Sequence, residues 1–211
     1  MDLKQKLLEI SLKSRAPLPQ DRVNVYMPIY AGGELIFDAE KRKHENQHVR
    51  FDVIDVEGKN VIDVGCNTGY GTFKLAPKAN SILGVDKDAK VLEVCNIIKE
   101  IDQVSNVEFL EFNKWDLEKD NNLLENHKNY PFDIALNLSN FHIEETVREL
   151  KLWGNLAKVW YLEPTNHSTH FTSREETVQQ AISEFSQFGE VEFLTYTDYQ
   201  DRGLFKLTMN E

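Results

Sequence analysis

The chain has 211 residues, 41% of them hydrophobic, which is enough for one sizeable core and too few for two ordinary domains. Its 24 Lys and Arg against 35 Asp and Glu leave a formal net charge of −11, so it has no general attraction for nucleic-acid phosphates or anionic lipid, and a small-molecule partner is favoured over nucleic acid. Two cysteines, Cys66 and Cys95, are too few for a disulfide framework, and no apolar run reaches the roughly 20 residues of a membrane span.

The first segment, "MDLKQKLLEISLKSRAPLPQ", has Leu3, Leu7, Leu8 and Ile10 at helical spacing, interrupted by charges, with no apolar signal-peptide core. A soluble, cytoplasmic protein is the expectation. Residues 1–48 read as an N-terminal helical extension. Its aromatic and basic residues (Tyr26, Tyr30, Phe37, Arg42, His44, His48, with Arg50 following) suit a lid over a substrate, while the mixed charges of "DAEKRKHENQHVRF" equally suit a solvated helix. From residue 49 to 211 short apolar runs alternate with amphipathic segments of helical length, the pattern of parallel βαβ units. The predicted strands are Val61–Val64, Ser81–Val85, Val107–Glu111, Phe132–Leu138, Val159–Leu162, Val191–Thr195 and Leu204–Met209. The predicted helices are Thr72–Ala76, Ala89–Ile101, Leu117–His127, Glu144–Leu152 and Arg174–Phe188, the last with Thr172 or Ser173 as N-cap. "YTDYQDRG" leaves no room for a helix between the last two strands, so they pair as an antiparallel hairpin. The expected fold is a doubly wound α/β domain with a seven-stranded, mostly parallel sheet and helices on both faces. Its ligand site lies beyond the carboxyl ends of the strands, next to the first.

That position is occupied by "NVIDVGCNTGYGTFKLA", in which Gly65 and Gly69 allow a tight turn and close approach to a ligand. Asp86 follows at the tip of the next strand, 21 positions after Gly65, where a carboxylate can accept hydrogen bonds from both hydroxyls of a ribose; it also reads as the N-cap of the following helix. Loop and carboxylate together imply an adenosyl ligand. A dinucleotide pyrophosphate wants G-x-G-x-x-G, whereas this loop runs G-C-N-T-G-Y-G, so a nicotinamide cofactor loses ground.

With "VIDVGCNTG", Asp86, "YPFDIALNLSNFHI" and the terminal hairpin, the chain resembles the class I S-adenosylmethionine (SAM)-dependent methyltransferases from Val49 to Met209. The resemblance implies that Gly65, Cys66 and Asn67 pass under the methionine part of SAM, Asp86 holds the ribose and Lys87 borders the adenine. Asn113 or Asp116 would stand near the adenine amine, Trp115 would cover the ring, and Asn137 would meet the methionine end. Tyr30, Asp63 and Gly69 complete the expected cofactor set. The departure is Asn67 at the family's usual second glycine, tolerable because Asn adopts left-handed backbone angles more readily than other residues.

For catalysis the sequence offers His142 as a base just past the fourth strand, or alternatively as a helix cap, and then Glu163 and His167 in "WYLEPTNHSTH". His167 and His170 are three apart but have no second tight pair beside them, so no metal is expected. A small polar acceptor methylated on oxygen or nitrogen leads. The second reading is an RNA methyltransferase acting on a terminal phosphate or a base; "DVGCNTG" and "LEPTN" resemble enzymes of terminal phosphates. A SAM-binding protein without catalysis comes third. Oligomeric state is not indicated.

Overall fold

The computed structural model describes residues 27–39, 45, 47–113, 122–138, 142–165, 173–197 and 201–210. The chain opens on a small antiparallel hairpin, β1 (Ile29–Ala31) and β2 (Glu34–Phe37), turned by Gly32 and Gly33, both at positive φ (63° and 78°). Two adjacent residues with φ > 0 are what a two-residue hairpin turn requires, and only glycine adopts them without strain. No strands were expected in this extension. A short helix α1 (His48–Asp52) leads to the main sheet.

The main sheet comprises β3 (Asn60–Val64), β4 (Ser81–Asp86), β5 (Val107–Glu111), β6 (Phe132–Leu138), β7 (Ala157–Glu163), β8 (Gly189–Tyr196) and β9 (Gly203–Met209). Its spatial order is β5-β4-β3-β6-β7-β9-β8, with β9 antiparallel to both β7 and β8 and the remaining pairs parallel. The order reverses at β3, so its carboxyl end faces a crevice between two diverging chain directions.

The connecting helices are α2 (Tyr70–Leu75), α3 (Ala89–Asp102), α4 (Asn122–Glu125), α5 (Ile143–Trp153) and α6 (Arg174–Phe185). The helix predicted over Leu117–His127 is described only for Asn122–Glu125, and α6 stops three residues earlier than expected, at Phe185. Of the two N-caps offered for α6, Ser173 serves: it accepts from the Glu176 amide and the Glu176 side chain answers, a capping box. The cap of α3 is Asp88, which accepts from the Lys90 amide, and not Asp86.

The two faces of β3 show why the sheet is covered on both sides. Val61 packs with Phe51, Tyr70, Leu75 and Ile134 in one core cluster, whereas Ile62 and Val64 pack with Leu150, Trp153 and Phe185 in the other. A strand's side chains alternate, so a run apolar at consecutive positions must be buried on both faces. Asp63 is the exception in that run, and it points to the α2 face. The hairpin closes a third cluster, in which Ile29 and Ala31 cover Val94 and Ile98 of α3.

Candidate functional site

Beyond Val64 the chain turns sharply. Gly65 (φ 76°), Asn67 (φ 51°) and Gly69 (φ 77°) are all left-handed, and the turn is pinned to the neighbouring strand by the Gly65 and Cys66 amides, which donate to Val85 O at 2.8 and 3.0 Å. At Gly69 a Cβ would stand 2.8 Å from the Phe73 ring and 3.1 Å from Cys95 Sγ, so a larger residue would have to displace the Phe73 ring and adopt a strained backbone. Asn67 is the one non-glycine of the three. Its amide donates to Asp86 Oδ2 at 3.0 Å, and its carbonyl lies 3.2 Å from the Cys95 thiol and 3.7 Å from that of Cys66.

Asp86 thereby joins loop and sheet: Oδ2 accepts from Asn67, and Oδ1 from the Asp88 amide at 3.0 Å. A carboxylate has about four acceptor positions, so Asp86 retains capacity for hydroxyl donors. Lys87 beside it is exposed, and Asn113 lies near the same edge because the Phe112 amide donates to Asp86 O at 2.9 Å.

Asp63 is 5% exposed and accepts from Thr72 Oγ1 at 2.6 Å. Burial pushes its carboxyl up to about 6, against the pull of that hydrogen bond; the Asp86 charge adds to the rise and Arg50 opposes it. Burial likewise pushes the Cys66 thiol up, with the Cys95 thiol as its neighbour, so the Cys66 sulfur is not primed as a nucleophile. Thr68, 5% exposed, has its hydroxyl buried without a hydrogen-bond partner among the described residues, an unfilled polar position inside the loop.

The candidates at the tips of β6 and β7 are committed differently. Asn137 is buried and donates to Glu149 Oε2 of α5 at 2.7 Å. Glu163, 1% exposed, is ion-paired with Arg50 of α1 at 2.6 Å and accepts from Thr197 Oγ1 at 2.9 Å. The guanidinium thus holds α1 across the carboxyl edge of the sheet, where Phe51 meets Tyr70 with ring centroids 5.8 Å apart. His142 occupies the N-cap position of α5 but makes no side-chain cap; its ring Nδ1 stands 3.0 Å from Thr165 Oγ1, just past β7. Tyr30 is 41% exposed, donates to Gly33 O, and lines a cleft of about 570 Å³ along α2 with Phe51, Thr68, Tyr70, Phe73 and Lys74.

The structure therefore brings Asp63, Gly65, Cys66, Asn67, Gly69, Asp86, Lys87 and Asn113 to one edge, with Asn137, His142 and Glu163 along its continuation. Trp115, Asp116 and His167 lie outside the described residues. Arg50, Thr72, Cys95 and Thr197 hold this site and were not singled out as site residues; Arg50 was marked only as a basic residue beside the extension. No three metal-ligating side chains converge among the described residues, and no described helix is long and apolar enough to cross a membrane.

Residues 55–147 match the family model of a methyltransferase domain. Over 106 residues the chain is 28% identical to a tRNA U34 carboxymethyltransferase of Desulfotalea psychrophila, an alignment covering 47% of this chain and 33% of that protein, so it spans about a third of that relative's length. Among solved structures, the bifunctional kinase-methyltransferase WbdD is similar with a TM-score of 0.55 and 22% identity, over 72% of this chain and 35% of that one. A SAM-dependent methyltransferase from Aquifex aeolicus has a TM-score of 0.54 at 15% identity, over 78% of this chain and 90% of that one. At these identities the structural likeness speaks to the fold.

Proposed function

We propose that the chain is a class I, Rossmann-like methyltransferase, a reading supported by the methyltransferase-domain match over residues 55–147, that it binds SAM on the loop after β3, and that it transfers the methyl group to an oxygen or nitrogen of a small polar acceptor. The observation that carries the reading is the joint between Asn67 and Asp86: a left-handed glycine-rich turn bonded directly to a carboxylate with acceptor capacity left over. The orphaned Thr68 hydroxyl gives the same loop a second polar position to fill.

When bound, SAM supplies an electrophilic methyl on a sulfonium, whose sulfur keeps the bonding electron pair as the methyl leaves. The protein's part is to hold the acceptor in line, a proximity effect worth up to about 7–11 kcal/mol, and to take the acceptor's proton where it carries one. His142 is the proposed base, with Thr165 orienting its ring. Glu163 is proposed to position α1 through Arg50, its carboxylate being buried and paired. Residues 1–48 are proposed as the substrate lid and the cytoplasm as the compartment.

A tRNA acceptor is the second reading, supported by the likeness to the tRNA U34 carboxymethyltransferase, while the net charge of −11 weighs against it. Calorimetry with SAM and S-adenosylhomocysteine tests the cofactor, and absence of binding would refute the reading. Transfer of labelled methyl from SAM to a panel of small polar acceptors and to unfractionated tRNA tests the acceptor; label in tRNA alone would overturn the small-molecule assignment.

A further inference from the structure

The chain's two cysteines, Cys66 in the turn after β3 and Cys95 in α3, are brought together by the fold. Cys95 Sγ stands 3.2 Å and Cys66 Sγ 3.7 Å from one and the same oxygen, the Asn67 carbonyl, and the two thiols are direct neighbours. Glycine makes room for each sulfur: a Cβ at Gly84 of β4 would lie 3.1 Å from Cys66 Sγ, and one at Gly69 would lie 3.1 Å from Cys95 Sγ. Both are free thiols, Cys66 being 6% exposed and Cys95 0%. The proposed methyl transfer uses neither. In a reducing compartment a cysteine pair that does oxidise is transient and redox-sensing instead of structural.

We infer that Cys66 and Cys95 form a reversible disulfide that weakens ligand binding by drawing the loop toward α3. The inference rests on the SAM reading above and adds a control on that site. Hydrogen peroxide is the oxidant. The less buried sulfur, Cys66, attacks one peroxide oxygen; the O–O bond breaks, one water leaves and Cys66 becomes a sulfenic acid. Cys95 sulfur then attacks Cys66 sulfur, the S–O bond breaks, a second water leaves and the S–S bond forms. The two thiols have lost two electrons and two protons to the peroxide. Burial keeps the Cys66 thiol slow to ionise, so the pair answers sustained exposure and not a brief one. An S–S bond of about 2.0 Å pulls the sulfurs closer than thiols in contact can stand, and both S–H groups facing Asn67 O are lost. The turn cannot follow freely, because the Asn67 amide is held by Asp86 and the Gly65 and Cys66 amides by Val85 O. The strain therefore falls on the joint between loop and carboxylate.

The test exposes the full chain to hydrogen peroxide for a prolonged period, removes the oxidant, unfolds the chain, alkylates free thiols and maps peptides by mass. Wild type is expected to yield a cross-linked Cys66–Cys95 peptide pair with neither thiol alkylated, and dithiothreitol is expected to restore both. S-adenosylhomocysteine is expected to bind the oxidised chain at least about tenfold more weakly in calorimetry, the scale of one or two lost hydrogen bonds, and binding is expected to return on reduction. By linkage, saturating S-adenosylhomocysteine in a dithiothreitol redox buffer should shift the dithiol–disulfide ratio toward dithiol by the same factor. Cys95→Ala, which cannot pair, is expected to show no dithiothreitol-reversible loss of affinity after the same exposure. Two alkylatable thiols, or a Cys66 sulfinic acid without the cross-link, overturns the pairing. A cross-link that leaves affinity unchanged, or a reversible loss in Cys95→Ala, overturns the control of binding. Failure of the reduced wild type to bind removes the SAM reading and the effect on ligand with it, whereas the pairing is judged by peptide mass alone.

Discussion

Replacing Arg50 by methionine isolates the ion pair that ties the amino-terminal segment to the sheet. The guanidinium Nη2 sits 2.6 Å from Glu163 Oε2 and 2.8 Å from Oε1, with side-chain exposures of 4% and 0%. Methionine keeps most of the stem volume and leaves the carboxylate buried beside the Thr197 hydroxyl. Removing one partner of a buried pair costs about 3–5 kcal/mol, mainly because the other charge is stranded. The loss is a large share of the about 5–15 kcal/mol that a domain has in total. Adding Glu163→Gln removes the stranded charge while Gln can still accept from Thr197, so the double variant should recover about 2 kcal/mol or more over Arg50→Met alone. The assay is urea unfolding at neutral pH, reading a midpoint shift at constant slope. A loss below about 1 kcal/mol for Arg50→Met, or a double variant whose loss equals the sum of the two singles, would refute the reasoning, since either shows that the charges are screened or rearranged.

Asp63 predicts a pH dependence. Its carboxyl is lifted from 3.8 to about 6, so between those values the folded chain keeps a proton that the unfolded chain has released, and stability falls as pH rises through the window. Asp63→Asn should gain on wild type across that window, by up to about 3 kcal/mol for a rise of roughly two pH units; a stability difference that does not change with pH counts against the burial argument. Asp86→Ala should weaken S-adenosylhomocysteine at least about tenfold in calorimetry, from charge-assisted hydrogen bonds worth about 1.5–3 kcal/mol, and equal affinity would remove its ribose role. His142→Ala should lose about 10²–10⁴-fold in turnover at unchanged cofactor affinity, with partial recovery at high pH; turnover within about threefold of wild type would leave the ring a structural group.

The doubly wound sheet was legible because its signals are local. Paired apolar positions such as Val61 and Ile62 announce a strand buried on both faces, and "YTDYQDRG" is too short for anything but a hairpin. The loop and Asp86 could be read for the same reason, both lying at strand tips. The hairpin Ile29–Phe37 was missed because three- and four-residue strands carry too little alternation to stand out beside a charged run. Glu163 read as a substrate contact because its position at a strand tip is local information, whereas its partner Arg50 is 113 residues away. Asn137 and Glu149 carried no hint of each other, since a single buried polar pair leaves no periodicity. Nor does anything around Cys95 announce that its thiol meets the Asn67 carbonyl, 28 positions back in the chain.

The Arg50–Glu163 pair also orders events during synthesis. Arg50 is made early, whereas Glu163 and Thr197 come from the half translated later. At ordinary elongation rates that delay is roughly ten seconds, during which Arg50 waits without the Glu163 carboxylate. Strand β3 waits too, because Ile62 and Val64 bury against Leu150, Trp153 and Phe185, so the latch on α1 and the second face of the sheet are both completed from the late half of the chain.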